Sequence, residues 1–148
     1  MGAWATGIFD TDSALDWVME LAQVGVMAIA AVLLDTQAAA ADGFIDVDPG
    51  SGVLATCDIT AAGLGHPMVP RPNFDGMLDD ARFWAWVDGR PEVTPTVALI
   101  CLDTIELVVA DPETTELYGL WRDGEALFSA MLLASAHDLR GRLEAVTE

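Results

Sequence analysis

Val97-Ala98-Leu99-Ile100-Cys101-Leu102-Asp103-Thr104-Ile105-Glu106-Leu107-Val108-Val109-Ala110 is the stretch on which the fold turns. Its β-branched Ile105, Val108 and Val109 favour a strand, and a strand here would put a sheet at the centre. The run is longer than an ordinary strand, however, and lacks clean alternation of apolar and polar residues, so the pattern predicts a helix. Thr94-Pro95 supplies the start signal, a capping hydroxyl followed by proline at the first helical position. The polar stripe is little more than Asp103, Thr104 and Glu106. A helix apolar almost all round is buried on most sides. This one, near 96–110, is therefore expected at the centre of the fold.

Working outward, the same punctuation recurs. Asp12-Ser13 precedes the run from Ala14 to Val24, with Leu15, Val18, Leu21 and Ala22 on one face and Asp16, Glu20 and Gln23 on the other. That spacing predicts an amphipathic helix, ended or bent at Gly25. A second apolar helix runs from about Val26 to Ala41 and stops at Asp42-Gly43. Phe44 to Val47 reads as a linker with some extended character. Asp48-Pro49 starts a helix over about Ser51 to Ala62, weakened by Gly52, Thr56, Ile59 and Thr60. Gly63 to Pro72 is a loop. Asn73 to Val87 is expected to be helical with an aromatic end, Phe83-Trp84-Ala85-Trp86, and Gly89-Arg90-Pro91 ends it. Asp111-Pro112 starts a short helix through Trp121. The last helix covers Glu125 to about Val146, where Phe128, Met131, Leu132, Leu139, Leu143 and Val146 keep the helical period. Arg140 and Arg142 fall near its C-terminus, where positive charge suits the helix dipole. The expectation is one all-α domain over residues 1–148, with about seven helices around the 96–110 segment.

Charge narrows the function. The chain carries 24 acids against 6 bases, every base an arginine, for a net charge of −18. A charge this large repels nucleic acid and anionic membrane surfaces, so neither is an expected direct partner. Three readings of the acidity remain: solubility in a GC-rich or salt-adapted host, a docking face for a basic protein, and mimicry of a nucleic-acid backbone. Apolar runs such as Val24 to Leu34 are far shorter than the roughly 20 residues a membrane helix needs. The N-terminus matches the loose N-myristoylation pattern, but nothing basic nearby supplies a second membrane signal. A cytoplasmic protein is expected. Cys57 and Cys101 sit among apolar neighbours and read as two buried thiols in a reducing compartment, although a disulfide between them depends on the fold.

The opening, Gly2-Ala3-Trp4-Ala5-Thr6-Gly7-Ile8-Phe9-Asp10-Thr11-Asp12, is the most distinctive segment. It resembles the start of a bacterial family known as domain of unknown function 4259, whose members open with Gly-x-Trp-Gly-x-Gly-x-Phe-Asp-Asn-Asp. Gly2, Trp4, Gly7, Phe9, Asp10 and Asp12 match that pattern. Ala5 stands where glycine is usual, and Thr11 where asparagine is usual. The resemblance implies a helical fold and brings no activity, substrate or cofactor. Physically, Trp4 and Phe9 are placed to fold back as apolar anchors beside the first helix, while Asp10 and Asp12 are placed to accept from its N–H groups. The functional reading makes Trp4, Phe9, Asp10, Asp12 and Asp16 a recognition patch.

Other chemistries fare worse. Asp10, Asp12 and Asp16 have the spacing of a calcium-loop start, but Ala14 occupies the fifth position and no glycine or closing glutamate follows. Asp46-x-Asp48 fails the same test. Gly50-Ser51-Gly52 is not a nucleophile elbow. Gly63-x-Gly65 lacks the third glycine of a dinucleotide fingerprint, and without lysine there is no standard phosphate loop. His66 and His137 read as solvent-facing or core-satisfied, and Asp79-Asp80 as one acidic pair among many. Trp84 and Trp86, two apart on a helix, point in different directions, so one is expected to be buried. The other, beside Arg90, is the kind of aromatic that anchors protein contacts. No catalytic residue, metal or cofactor is assigned. The leading expectation is a non-catalytic module binding a basic protein such as a toxin or nuclease. Its rivals are a small-ligand or metal-dependent enzyme using the N-terminal loop carboxylates, and a nucleic-acid mimic.

Overall fold

The computed structural model describes residues 12–45, 47–67, 74, 78–110 and 126–147. These form six helices: α1 (Asp12–Val24), α2 (Met27–Ala41), α3 (Val47–Gly63), α4 (Asp80–Asp88), α5 (Pro95–Val109) and α6 (Ala126–Thr147). There is no strand among the described residues. The decisive stretch is a helix, capped by the Thr94 hydroxyl, which accepts from the Val97 N–H at 3.4 Å, with Pro95 in the first turn. The helix expected over 111–121 lies outside the described residues.

Among the described residues the most enclosed helix is α3, not the 96–110 segment that the sequence pointed to. α3 packs against each of the other five described helices, and every residue from 52 to 62 is buried. α5 buries Ala98, Cys101, Thr104, Ile105 and Val108, yet leaves Leu99 53% and Ile100 39% exposed. The physical reason is side-chain size. α3 reads VDPGSGVLATCDITAAG, and its glycines and threonines make it a poor helix former in isolation, its alanines notwithstanding. The same small residues let surrounding helices approach closely. A Cβ on Gly52 would stand 3.0 Å from Val32 Cγ2 and 3.7 Å from Trp17 Cδ1, so α1 and α2 both close on a position with no side chain. The buried Thr60 hydroxyl donates to the Thr56 carbonyl four residues back at 2.9 Å, which removes the penalty of burying it.

α3 begins at Val47, inside the expected linker and ahead of the Asp48-Pro49 start signal, but other boundaries follow their local signals. Gly25 and Gly43 adopt φ of +89° and +103°, a region glycine enters without steric cost, and they separate α1 from α2 and α2 from the linker. α1 buries Ala14, Trp17, Val18 and Leu21, whereas Ala22, expected on that face, is exposed. α4 is shorter than expected. Asp79 is its N-cap, accepting from the Arg82 N–H at 3.1 Å, and Asp80 accepts from the Phe74 N–H at 3.2 Å. The acidic pair Asp79-Asp80 is thus a helix start. Phe74, Phe83 and Trp84 form an aromatic cluster with ring centroids 5.2 to 5.8 Å apart.

α6 closes the fold by burying Ala136, Leu139 and Leu143 in the core and through charge. Arg142 reaches the buried Asp58 of α3 at 2.7 Å and Asp138 of its own helix at 3.0 Å, while Arg140 pairs with Glu106 of α5. Both arginines lie in the final two turns of α6, as expected, though neither is in its last turn. Their work is to join α6 to α3 and α5. No helix among the described residues is long and apolar enough to cross a membrane.

Candidate functional site

The surface feature that stands out is an apolar groove between α2 and α5. Its origin lies in composition. α2, MAIAAVLLDTQAAAA, is apolar around most of its circumference. It buries Ala28, Ile29, Leu33 and Thr36 against the core, and no described helix covers the other side. Met27 is left 69% and Leu34 66% exposed. α5 contributes Val97 and Ile100 from its own surplus apolar face, and the groove between them encloses about 400 Å³, with Glu92 as the acid among its described lining residues. Large apolar side chains exposed together, not scattered singly, mark interaction surfaces.

The groove is built on a fixed base. Gln37 Nε2 donates to Thr104 Oγ1 at 3.2 Å, linking α2 to α5. Thr36 and Thr104 hydroxyls each donate to the carbonyl four residues earlier at 2.7 Å. Beneath α5, the Cys57 thiol donates to the Cys101 carbonyl at 3.7 Å, and the Cys101 thiol to Thr60 Oγ1 at 3.7 Å. Both cysteines are free and buried. Burial pushes the Cys57 thiol well up from its ordinary value, with the neighbouring Cys101 adding to the effect, so it stays protonated and inert.

A second, smaller concavity lies beside α4. Its described walls are Ala22, Leu78, Asp79, Arg82, Phe83 and Trp86, and its volume is about 340 Å³. Here the sequence expectation is met in part. Trp84 is buried and Trp86 half-buried. The Arg90 guanidinium lies 5.2 Å from the Trp86 ring centroid, and its Nε donates to the Trp86 carbonyl at 3.2 Å. Arg90 therefore covers one side of the indole that it was expected to accompany in a contact.

Of the other expected site residues, Asp16 is exposed on α1. Trp4, Phe9 and Asp10 lie outside the described residues, as does the side chain of Asp12. Among the described residues, no three metal-ligating side chains converge. The α2–α5 groove was missed by the sequence reading. Its signal was present in the excess of apolar residues on α2, but sequence cannot say which apolar face a neighbour will cover.

Compared with known proteins, residues 2–132 match the family model described as Domain of unknown function (DUF4259). No curated protein and no solved structure matches the chain.

Proposed function

The chain belongs to the DUF4259 family, and from that premise we propose that it is a non-catalytic binding module whose α2–α5 groove takes an amphipathic, basic segment of a partner protein. The observation that carries this reading is the groove itself, with Met27, Leu34 and Ile100 exposed along about 400 Å³ of apolar space. An amphipathic helix laid in such a groove buries its apolar face against it. The net charge of −18 selects the rest of the partner, because a basic polar face is drawn in and an acidic one repelled. A basic toxin or nuclease is the kind of protein that offers such a segment, and a reducing, cytoplasmic setting accords with two free buried thiols.

The test uses synthetic peptides titrated into the full chain by calorimetry. One peptide carries leucines at helical spacing with lysines and arginines opposite. A second has the same composition scrambled. The amphipathic peptide is expected to bind saturably at one per chain, at least about tenfold tighter than the scrambled one. Leu34→Glu is expected to abolish the difference. Equal binding of both peptides would reduce the interaction to non-specific charge attraction and end this reading.

A further inference from the structure

We propose that the concavity beside α4 is a binding site for a small zwitterion with an apolar body, of the chemical class of an aromatic or large apolar amino acid. This site is separate from the α2–α5 groove and stands on different observations.

The first observation is a mismatch in charge pairing. Among the described arginines, Arg140 and Arg142 are held by carboxylates, and Arg90 lies over Trp86. Arg82 has no carboxylate within ion-pair distance among the described residues, in a chain with 24 acids. Its backbone N–H is bonded to Asp79 Oδ1, yet its guanidinium and the Asp79 carboxylate do not form an ion pair. Two opposite charges thus stand on the rim of one concavity without neutralising each other.

The second observation is what lies between them. Leu78, Phe83 and Trp86 supply an apolar and aromatic wall to an open concavity of about 340 Å³. That is at the lower end of the roughly 300–1,000 Å³ typical of ligand pockets, the right scale for one amino acid. A carboxylate suits the two-pronged guanidinium of Arg82. Asp79 spends one oxygen on the helix cap, which leaves the other for an ammonium group. The aromatic wall takes the side chain. A simple anion would meet Asp79, and a simple cation would meet Arg82, so the arrangement discriminates in favour of a ligand bearing both charges.

Calorimetry on the full chain with three probes separates these possibilities: L-phenylalanine, 3-phenylpropionate (no ammonium) and phenethylamine (no carboxylate). L-phenylalanine is expected to bind at one per chain, about tenfold or more tighter than either analogue. Arg82→Gln is expected to remove its advantage over phenethylamine. Asp79→Asn keeps a residue that caps helices well while removing the charge, and is expected to remove its advantage over 3-phenylpropionate. Unchanged circular dichroism melting of both variants ties any loss to the site. Leu34→Glu, in the other groove, is expected to leave phenylalanine binding unaltered. No saturable binding of L-phenylalanine, equal binding of all three probes, or an undiminished affinity in Arg82→Gln would each overturn the proposal.

Discussion

Arg142 on α6 and Asp58 on α3 meet at 2.7 Å, with the carboxylate side chain 1% exposed and the arginine side chain 13% exposed. This contact fixes the last described helix to the most enclosed one. The arginine is also tied to Asp138 one turn back and, through Nη1, to the His66 carbonyl at 3.3 Å. A buried carboxylate is tolerated only when its charge is compensated.

Removing that counter-charge is expected to cost far more than removing an exposed one. Arg142→Met should lower unfolding free energy by about 3 kcal/mol, because it strips a buried carboxylate of its cation. Arg140→Met, which breaks the contact to the exposed Glu106, should cost less than about 1 kcal/mol. Urea denaturation of the two variants checks the ordering. Equal losses would show that Asp58 does not depend on Arg142.

Two glycines are expected to respond in opposite directions to alanine. Gly52 faces Val32 Cγ2 at 3.0 Å, and valine is stiff. Gly52→Ala should destabilise by about 1–3 kcal/mol through overpacking. An added Cβ at Gly141 in α6 meets nothing within 4 Å, so Gly141→Ala should stabilise by up to about 1 kcal/mol through helix propensity. Thermal melts of both variants test whether α3 owes its position to its lack of side chain there.

The thiols predict a pH effect. Burial raises the Cys57 thiol above its unfolded value. Its protonated form is therefore the one that the fold favours, and its contribution is fully present below the unfolded thiol value of about 8.5 and declines as pH rises beyond it. Urea midpoints should fall between neutral and strongly alkaline pH, by less in Cys57→Ala. In the native state both thiols should resist a thiol reagent such as DTNB at pH 8, and both should react once unfolded. Fast native labelling would contradict their burial.

Surface substitutions in the groove should separate binding from folding. Leu34 is 66% exposed, so Leu34→Glu should change stability by no more than about 0.5 kcal/mol. Affinity for the basic amphipathic peptide should fall with added salt, since the attraction between exposed charges is screened. A salt-independent affinity would place the binding energy wholly in apolar contact and remove charge as the basis of selection.

Much of this molecule was readable from one dimension. Thr94-Pro95 announces α5, Gly25 and Gly43 divide the early helices, and the Trp84–Trp86 spacing requires one indole in and the other turned outward. These are local effects of backbone sterics, capping and helical period, and they act wherever the segment ends up. Asp79 as the cap of α4 was equally local, and was hidden only by the abundance of other acids.

Which of the described helices is most enclosed was not a local matter. α5 is the more apolar segment, but α3 is the more enclosed because glycine, alanine and threonine let five neighbours come close, and closeness is a property of pairs of helices. For the same reason the sequence contains the apolar surplus of α2 and α5 without revealing where it faces. Partners 44, 67 or 84 residues apart, Cys57 with Cys101, Gln37 with Thr104 and Asp58 with Arg142, meet only once the chain has chosen how to pack. Caps and turns such as Thr94-Pro95, Gly25 and Gly43 were therefore settled by local chemistry, while the weak helix α3, the core, the groove and the buried ion pair were settled by which surfaces could approach most closely and exclude water.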